Sequence, residues 1–92
     1  MRGEALFAAH CALCHGTRGD GHGLRSAALS TIPRNFTDPH WQMRTSNRGL
    51  FYAIREGVPG TAMPAWKSLP VDECWNLVAY VRSFGSGQYA IP

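Results

Sequence analysis

Residues 10–15 read HCALCH, and residues 16–23 continue as GTRGDGHG. Two thiols, Cys11 and Cys14, stand three apart, and His15 follows at once. Cys-x-x-Cys alone has three readings: a redox dithiol, half of a zinc site, or a disulfide. A thioredoxin-like dithiol wants a strand before it. The preceding GEALFAAH instead places Leu6, Phe7, Cys11 and Cys14 at helical spacing. Three cysteines are an odd number, which argues against a full disulfide framework. Zinc would need Cys11, Cys14 and His15 together with the remote Cys74. Cys74 stands alone on an apolar stripe and reads as a small buried hydrophobe.

Working outward, the chain has 92 residues, which is one domain's worth with a thin core. Ten glycines and six prolines imply much loop, so a staple is expected: disulfide, metal or cofactor. Cys-x-x-Cys-His narrows the staple to c-type haem attachment. The spacing explains why. Both thiols reach one edge of a porphyrin and bond its two vinyl groups, and the next residue turns an imidazole to the iron from the same side.

The rest of the chain predicts three main helices separated by long loops. The first runs through GEALFAAHCALC and ends at Gly16. Residues 16–23 form a Gly-rich loop. The stretch from Leu24 to Thr45, punctuated by Pro33 and Pro39, reads as irregular, with one short helical turn near Leu24–Leu29. A second helix spans Asn47–Glu56, with Ser46 as N-cap, an apolar stripe of Leu50, Phe51, Ile54 and Val58, and Gly57 as the stop. Gly49 inside it costs about 1 kcal/mol against alanine, so this helix leans on packing. VPGTAMPAWKSLP is the next loop. The third helix starts at Pro70, carries Asp72 and Glu73 in its first turn and ends at Gly85. Its buried face is Val71, Cys74, Trp75, Val78 and Val81, widened by Leu77, Tyr80 and Phe84. No strand alternation, repeat or linker is visible, so the expectation is a single all-α domain over 1–92.

The net charge is +3, and eight of the nine basic residues are arginine. They are scattered without a basic block, which argues against nucleic acid. No apolar run is long enough to span a bilayer, and no signal peptide is visible. The expectation is a mature form or a domain of something larger.

A second axial ligand would come from Met63, Met43, His10, His22 or His40. Met63 sits in a Pro-bounded loop that can wrap the far face, and Pro64 holds it extended. Met43 is the strongest rival. His22 lies in the flexible Gly-rich loop, and His10 lies just before the anchor on its wrong side.

CALCH, PRNFTDPHW, LFYAIREGVPGTAMPAW and WNLVAYVRSFG, in that order, resemble the class I c-type cytochromes, in particular short bacterial monohaem domains. The resemblance covers nearly the whole chain. It implies the cytochrome c fold around one covalent haem c, with His15 and Met63 on the iron. It places Gly3 and Phe7 at a crossing with Leu77 and Tyr80. It suggests the Pro33 carbonyl as acceptor from the other nitrogen of His15, and Arg34, Trp41 and Trp66 against the ring or its propionates. Gly49, Pro70 and Cys74 depart from the family pattern, and none touches the ligands.

With both axial positions filled, the domain moves single electrons and transforms no substrate. Leu6, Phe7, Leu50, Ile54, Trp75, Val78 and Tyr80 would wall the pocket, and electrons would cross near Thr17–Gly23 and Gly60–Trp66. The implied setting is the periplasm or the outer face of the bacterial cytoplasmic membrane, in a respiratory chain. The chain would be a free carrier or the electron-entry domain of a larger oxidoreductase, a monomer or a fused domain, with redox proteins as partners. The alternatives are a haem-based ligand sensor or peroxidase-like enzyme with a labile sixth ligand, and a zinc-structured interaction module.

Overall fold

The computed structural model describes residues 2–29, 33–61 and 63–89, and among them no strand occurs. The helices are α1 (Arg2–His10), α2 (Ala12–His15), α3 (Pro39–Arg44), α4 (Asn47–Glu56) and α5 (Val71–Tyr89), with a 3-10 turn at Ser26–Ala28. The three longest are those the periodicity predicts.

α1 packs across α5, and α4 and α3 pack on α5 from other directions. The α1–α5 crossing is close because Gly3 lies against the Asn76 carbonyl: an added Cβ would sit 2.4 Å from that oxygen. Phe7, Leu77 and Cys74 are the largest fully buried side chains of the core. Phe7 contacts Phe36, Tyr80 and Phe84 at ring-centroid distances of 6.2, 5.3 and 5.3 Å. An Arg2–Glu73 ion pair of 2.5 Å spans the outside of the crossing.

α4 follows the sequence reading closely. The Ser46 hydroxyl accepts from the Gly49 amide at 2.9 Å, and the chain leaves the helix at Gly57 with φ +75°. α3 was not expected. Both prolines of its region read as breakers, but Pro39 stands at the start of the helix, where a missing N–H costs nothing. The Asp38 carboxylate caps it by accepting from the His40 amide at 2.9 Å. Buried Gln42 then donates to the Phe36 and Val81 carbonyls at 2.8 and 3.0 Å and accepts from Arg82 at 2.9 Å, so α3 is tied to α5.

Two helix ends differ from expectation. The first helix is interrupted at Cys11, whose ψ of −33° with φ −120° opens a new turn. α5 does not stop at Gly85 but continues to Tyr89. A single glycine costs a helix only about 1 kcal/mol, and Gly85 is buried where a Cβ would fall 2.6 Å from Gln42 Cγ. The glycine there serves packing against α3 instead of ending the helix.

Candidate cofactor site

α2 is a single turn, so its last carbonyls have no partner inside the helix. The glycine-rich loop supplies them. Arg25, Gly23 and Gly21 amides donate to the Leu13, Cys14 and His15 carbonyls at 2.8, 2.9 and 2.8 Å. The loop thereby fixes the turn that carries Cys11, Cys14 and His15 on one wall of a cavity of about 380 Å³. That volume lies within the range of cofactor sites, about 300–1,000 Å³.

All residues expected at the cofactor line this cavity: Cys11, Cys14, His15, Met63, Pro33, Arg34, Trp41 and Trp66. Leu50 and Ile54 of α4 join them as expected, and Phe36 and Val81 also contribute. Several expected wall residues lie elsewhere. Leu6, Phe7 and Val78 are buried in the core, and Tyr80 packs against Phe7 and Phe84. Trp75 is 43% exposed and stacks on Phe51 at 4.3 Å. The reason is that α5 packs chiefly on α1. α5 turns most of its apolar face to α1 and presents Val81 to the cavity.

Among the other axial candidates, Met43 is 81% exposed, and neither it, His22 nor His40 lines the cavity. His10 differs from expectation: it reaches the cavity wall and packs on Trp66 with centroids 4.7 Å apart. The end of α1 thus lies against the loop that carries Met63 and Trp66. Cys74 does not line the cavity, and among the described residues no three of His, Cys, Asp and Glu gather as a metal site. The zinc set of Cys11, Cys14, His15 and Cys74 is therefore not assembled.

His15 is held on two sides. Its Nδ1 lies 3.1 Å from the Arg34 carbonyl, and its ring stacks on Phe36 with centroids 4.4 Å apart at 20°. The carbonyl is that of Arg34, and not of Pro33 as the resemblance suggested. The Pro33 carbonyl turns toward Gly21, where an added Cβ would lie 2.8 Å from it, and the next peptide then faces His15. Burial lowers the His15 pKa from 6.5, with the Arg34 hydrogen bond opposing. The ring is neutral at pH 7 with Nε2 as its lone-pair nitrogen, since Nδ1–H is committed to the carbonyl. Burial, and secondarily the neighbouring Cys14, push the Cys11 thiol up to about 11, so this thiol is protonated at pH 7. Cys11 and Cys14 are free thiols, both partly accessible.

The second wall comes from the loop after α4. An added Cβ at Gly57 would lie 2.9 Å from the Met63 carbonyl, so the loop rests directly on the helix end. The Trp66 amide donates to the Ile54 carbonyl at 2.9 Å. Arg34 is exposed at the rim, its guanidinium 5.9 Å from the Trp41 ring centroid. Two thiols, a neutral imidazole, a thioether and a rim cation around an apolar cavity form a donor set that suits haem c. The sequence reading missed Phe36 as the face partner of His15. Its only signal is an aromatic between Pro33 and Pro39, in a segment without periodicity.

The family described as cytochrome C oxidase, cbb3-type, subunit III matches residues 1–81. The cbb3-type cytochrome c oxidase subunit FixP of Bradyrhizobium diazoefficiens is 32% identical over 88 residues, covering 95% of this chain and 28% of that subunit. The chain thus spans just over a quarter of that curated relative. Among solved structures, a Kuenenia stuttgartiensis reducing HAO-like protein complex, Kustc0457/Kustc0458, superposes with a TM-score of 0.79 at 27% identity, over 99% of this chain and 45% of the other. The KustC0563 c-type cytochrome superposes with a TM-score of 0.76 at 34% identity, over 91% of this chain and 98% of the other.

Proposed function

The chain belongs to the cbb3-type cytochrome c oxidase subunit III family as a class I c-type cytochrome domain, and on that premise we propose that Cys11 and Cys14 would anchor its haem c and that His15 and Met63 would hold its iron. Family membership makes it a haem-based electron-transfer domain and not a catalytic enzyme. Haem iron, when bound, supplies reversible one-electron chemistry. The observation that carries the ligand reading is the placement of both thiols, the imidazole and Met63 around one cavity, with Met43, His22 and His40 outside it and His10 at its wall packed on Trp66.

The residues divide the work. The Arg34 carbonyl holds the Nδ1 proton of His15, which fixes the tautomer and raises the basicity of Nε2. Phe36 fixes the plane of the ring. Leu50, Ile54 and Val81 exclude water, which strengthens electrostatic interactions inside. A thioether from Met63 on the iron would favour the reduced state and raise the potential. The rim guanidinium of Arg34 is placed to meet propionate charge.

The domain relays electrons outside the bacterial cytoplasm, as a free carrier or as the electron-entry domain of a larger oxidoreductase. The match to a quarter of FixP supports the second form, and redox proteins are the partners in either. No described helix is long and apolar enough to cross a membrane.

The test has two parts. Acid-acetone extraction should leave haem on the polypeptide, and haem that extracts freely refutes attachment. Met63→Ala should abolish the weak sulfur-to-iron band at the red end of the oxidised spectrum, lower the potential and open the ferrous form to carbon monoxide. Met43→Ala should leave all three unchanged. Ready carbon monoxide binding by the unaltered protein would favour the sensor or peroxidase-like reading.

A further inference from the structure

We propose that Arg55 is a positioning residue for the sixth ligand: it clamps the end of the Met63 loop onto α4. The inference rests on Met63 being that ligand. Arg55 lies in the last turn of α4, away from the cavity lining. Its Nη1 donates to the Leu69 carbonyl at 2.9 Å and its Nη2 to the Lys67 carbonyl at 3.3 Å. Nη1 also lies 3.7 Å from Cys74 Sγ, and the guanidinium stands 5.9 Å from the Phe51 ring centroid. One side chain therefore joins α4, α5 and the returning loop.

The loop needs such a clamp for a physical reason. Among the described residues, 57–61 and 63–70 form no regular element, so their carbonyls have no helix or sheet partners. The segment is fastened where Met63 abuts Gly57 and where the Trp66 amide meets Ile54. Beyond Trp66 it is fastened by Arg55. The Lys67–Glu56 pair at 3.2 Å is exposed on both sides and adds little. A ligand carried on a loop binds only as often as the loop holds the ligating geometry. Fixing both carbonyls with one planar fork restricts that loop more than a single flexible ammonium can.

Arg55→Gln, Arg55→Lys, Lys67→Ala and Met63→Ala, each prepared as haem-loaded protein, test the assignment. In Arg55→Gln the haem content should be unchanged, while the Trp66 amide should exchange hydrogen about tenfold faster or more, the loss expected when a charge-assisted bond is removed. Carbon monoxide should bind the ferrous form at least tenfold faster. On heating, the red band should vanish before the far-UV helix signal. Arg55→Lys should fall between, and Lys67→Ala should match the unaltered protein. If the glutamine variant yields no holoprotein, Arg55→Lys is judged by the same criteria. Arg55→Gln with band and carbon monoxide rate unchanged, whether or not Trp66 exchange is faster, overturns the clamp while Met63→Ala still abolishes the band. A band that survives Met63→Ala refutes the ligand reading, and the clamp falls with it.

Discussion

Replacing Gly3 with alanine sets two effects of opposite sign against each other. Alanine is the better helix former, and the change should favour α1 by about 0.8–1 kcal/mol. The new Cβ, however, would lie 2.4 Å from the Asn76 carbonyl oxygen and 3.0 Å from Tyr80 Cβ. The first of these is backbone inside α5, so no side-chain rotation relieves it, and one helix must move by about an ångström to reach ordinary contact. Overpacking of this kind costs about 1–3 kcal/mol, and a blocked backbone belongs at the upper end. Subtracting the propensity gain leaves a net loss of about 2 kcal/mol. For a domain of this size that lowers Tm by about 8–16 °C. Far-UV circular dichroism melts of the haem-loaded protein measure it. Ala8→Gly, on an exposed position of the same helix, calibrates the propensity term and should cost about 1 kcal/mol. A Gly3→Ala variant as stable as the unaltered protein, or more so, would refute the claim that this crossing is set by backbone contact.

Gly57→Ala should destabilise by about 1–3 kcal/mol, because φ +75° with ψ −177° is a glycine region. It should also weaken the red band, since the added methyl meets the Met63 carbonyl at 2.9 Å; an unchanged band with unchanged Tm would count against it. Cys74→Ala should leave spectrum and potential unchanged and cost about 1 kcal/mol in denaturant unfolding, the sulfur being 0% exposed but outside the cavity. A shift in potential would show that its contact with Arg55 matters more to the ligand loop than burial does.

The parts of the molecule legible in its sequence are those governed by short-range rules. Ser46 and Gly57 bound α4 because capping is local, and Cys11, Cys14 and His15 declare their chemistry because three adjacent donors on one turn have few uses. Long-range geometry was less legible. α3 was hidden because Pro39 looks the same in a sequence whether it breaks a helix or opens one. The pocket walls were only partly legible because periodicity shows that Val78 and Val81 share a face but not which of them the packing of α5 on α1 leaves to the cavity. Pro33 against Arg34 is a choice between two neighbouring peptides, decided by how the chain passes Gly21. Phe36 belongs to no period at all, and only tertiary packing puts it on His15.

That stack bears on a quantity that neither stability nor affinity describes: the reorganisation accompanying a change of charge. A relay loses speed for every atom that must shift when an electron arrives or leaves. His15 has one ring face against Phe36 at 4.4 Å and Nδ1 on a backbone carbonyl at 3.1 Å. Phe36 in turn is wedged among Phe7, Trp41 and Phe84. The imidazole can neither tilt nor swing without disturbing the aromatic core between α1 and α5. With haem held through His15, this packing would keep the imidazole in place as the charge changes, and what nuclear motion the transfer requires would be left to the loop side and to solvent at the rim.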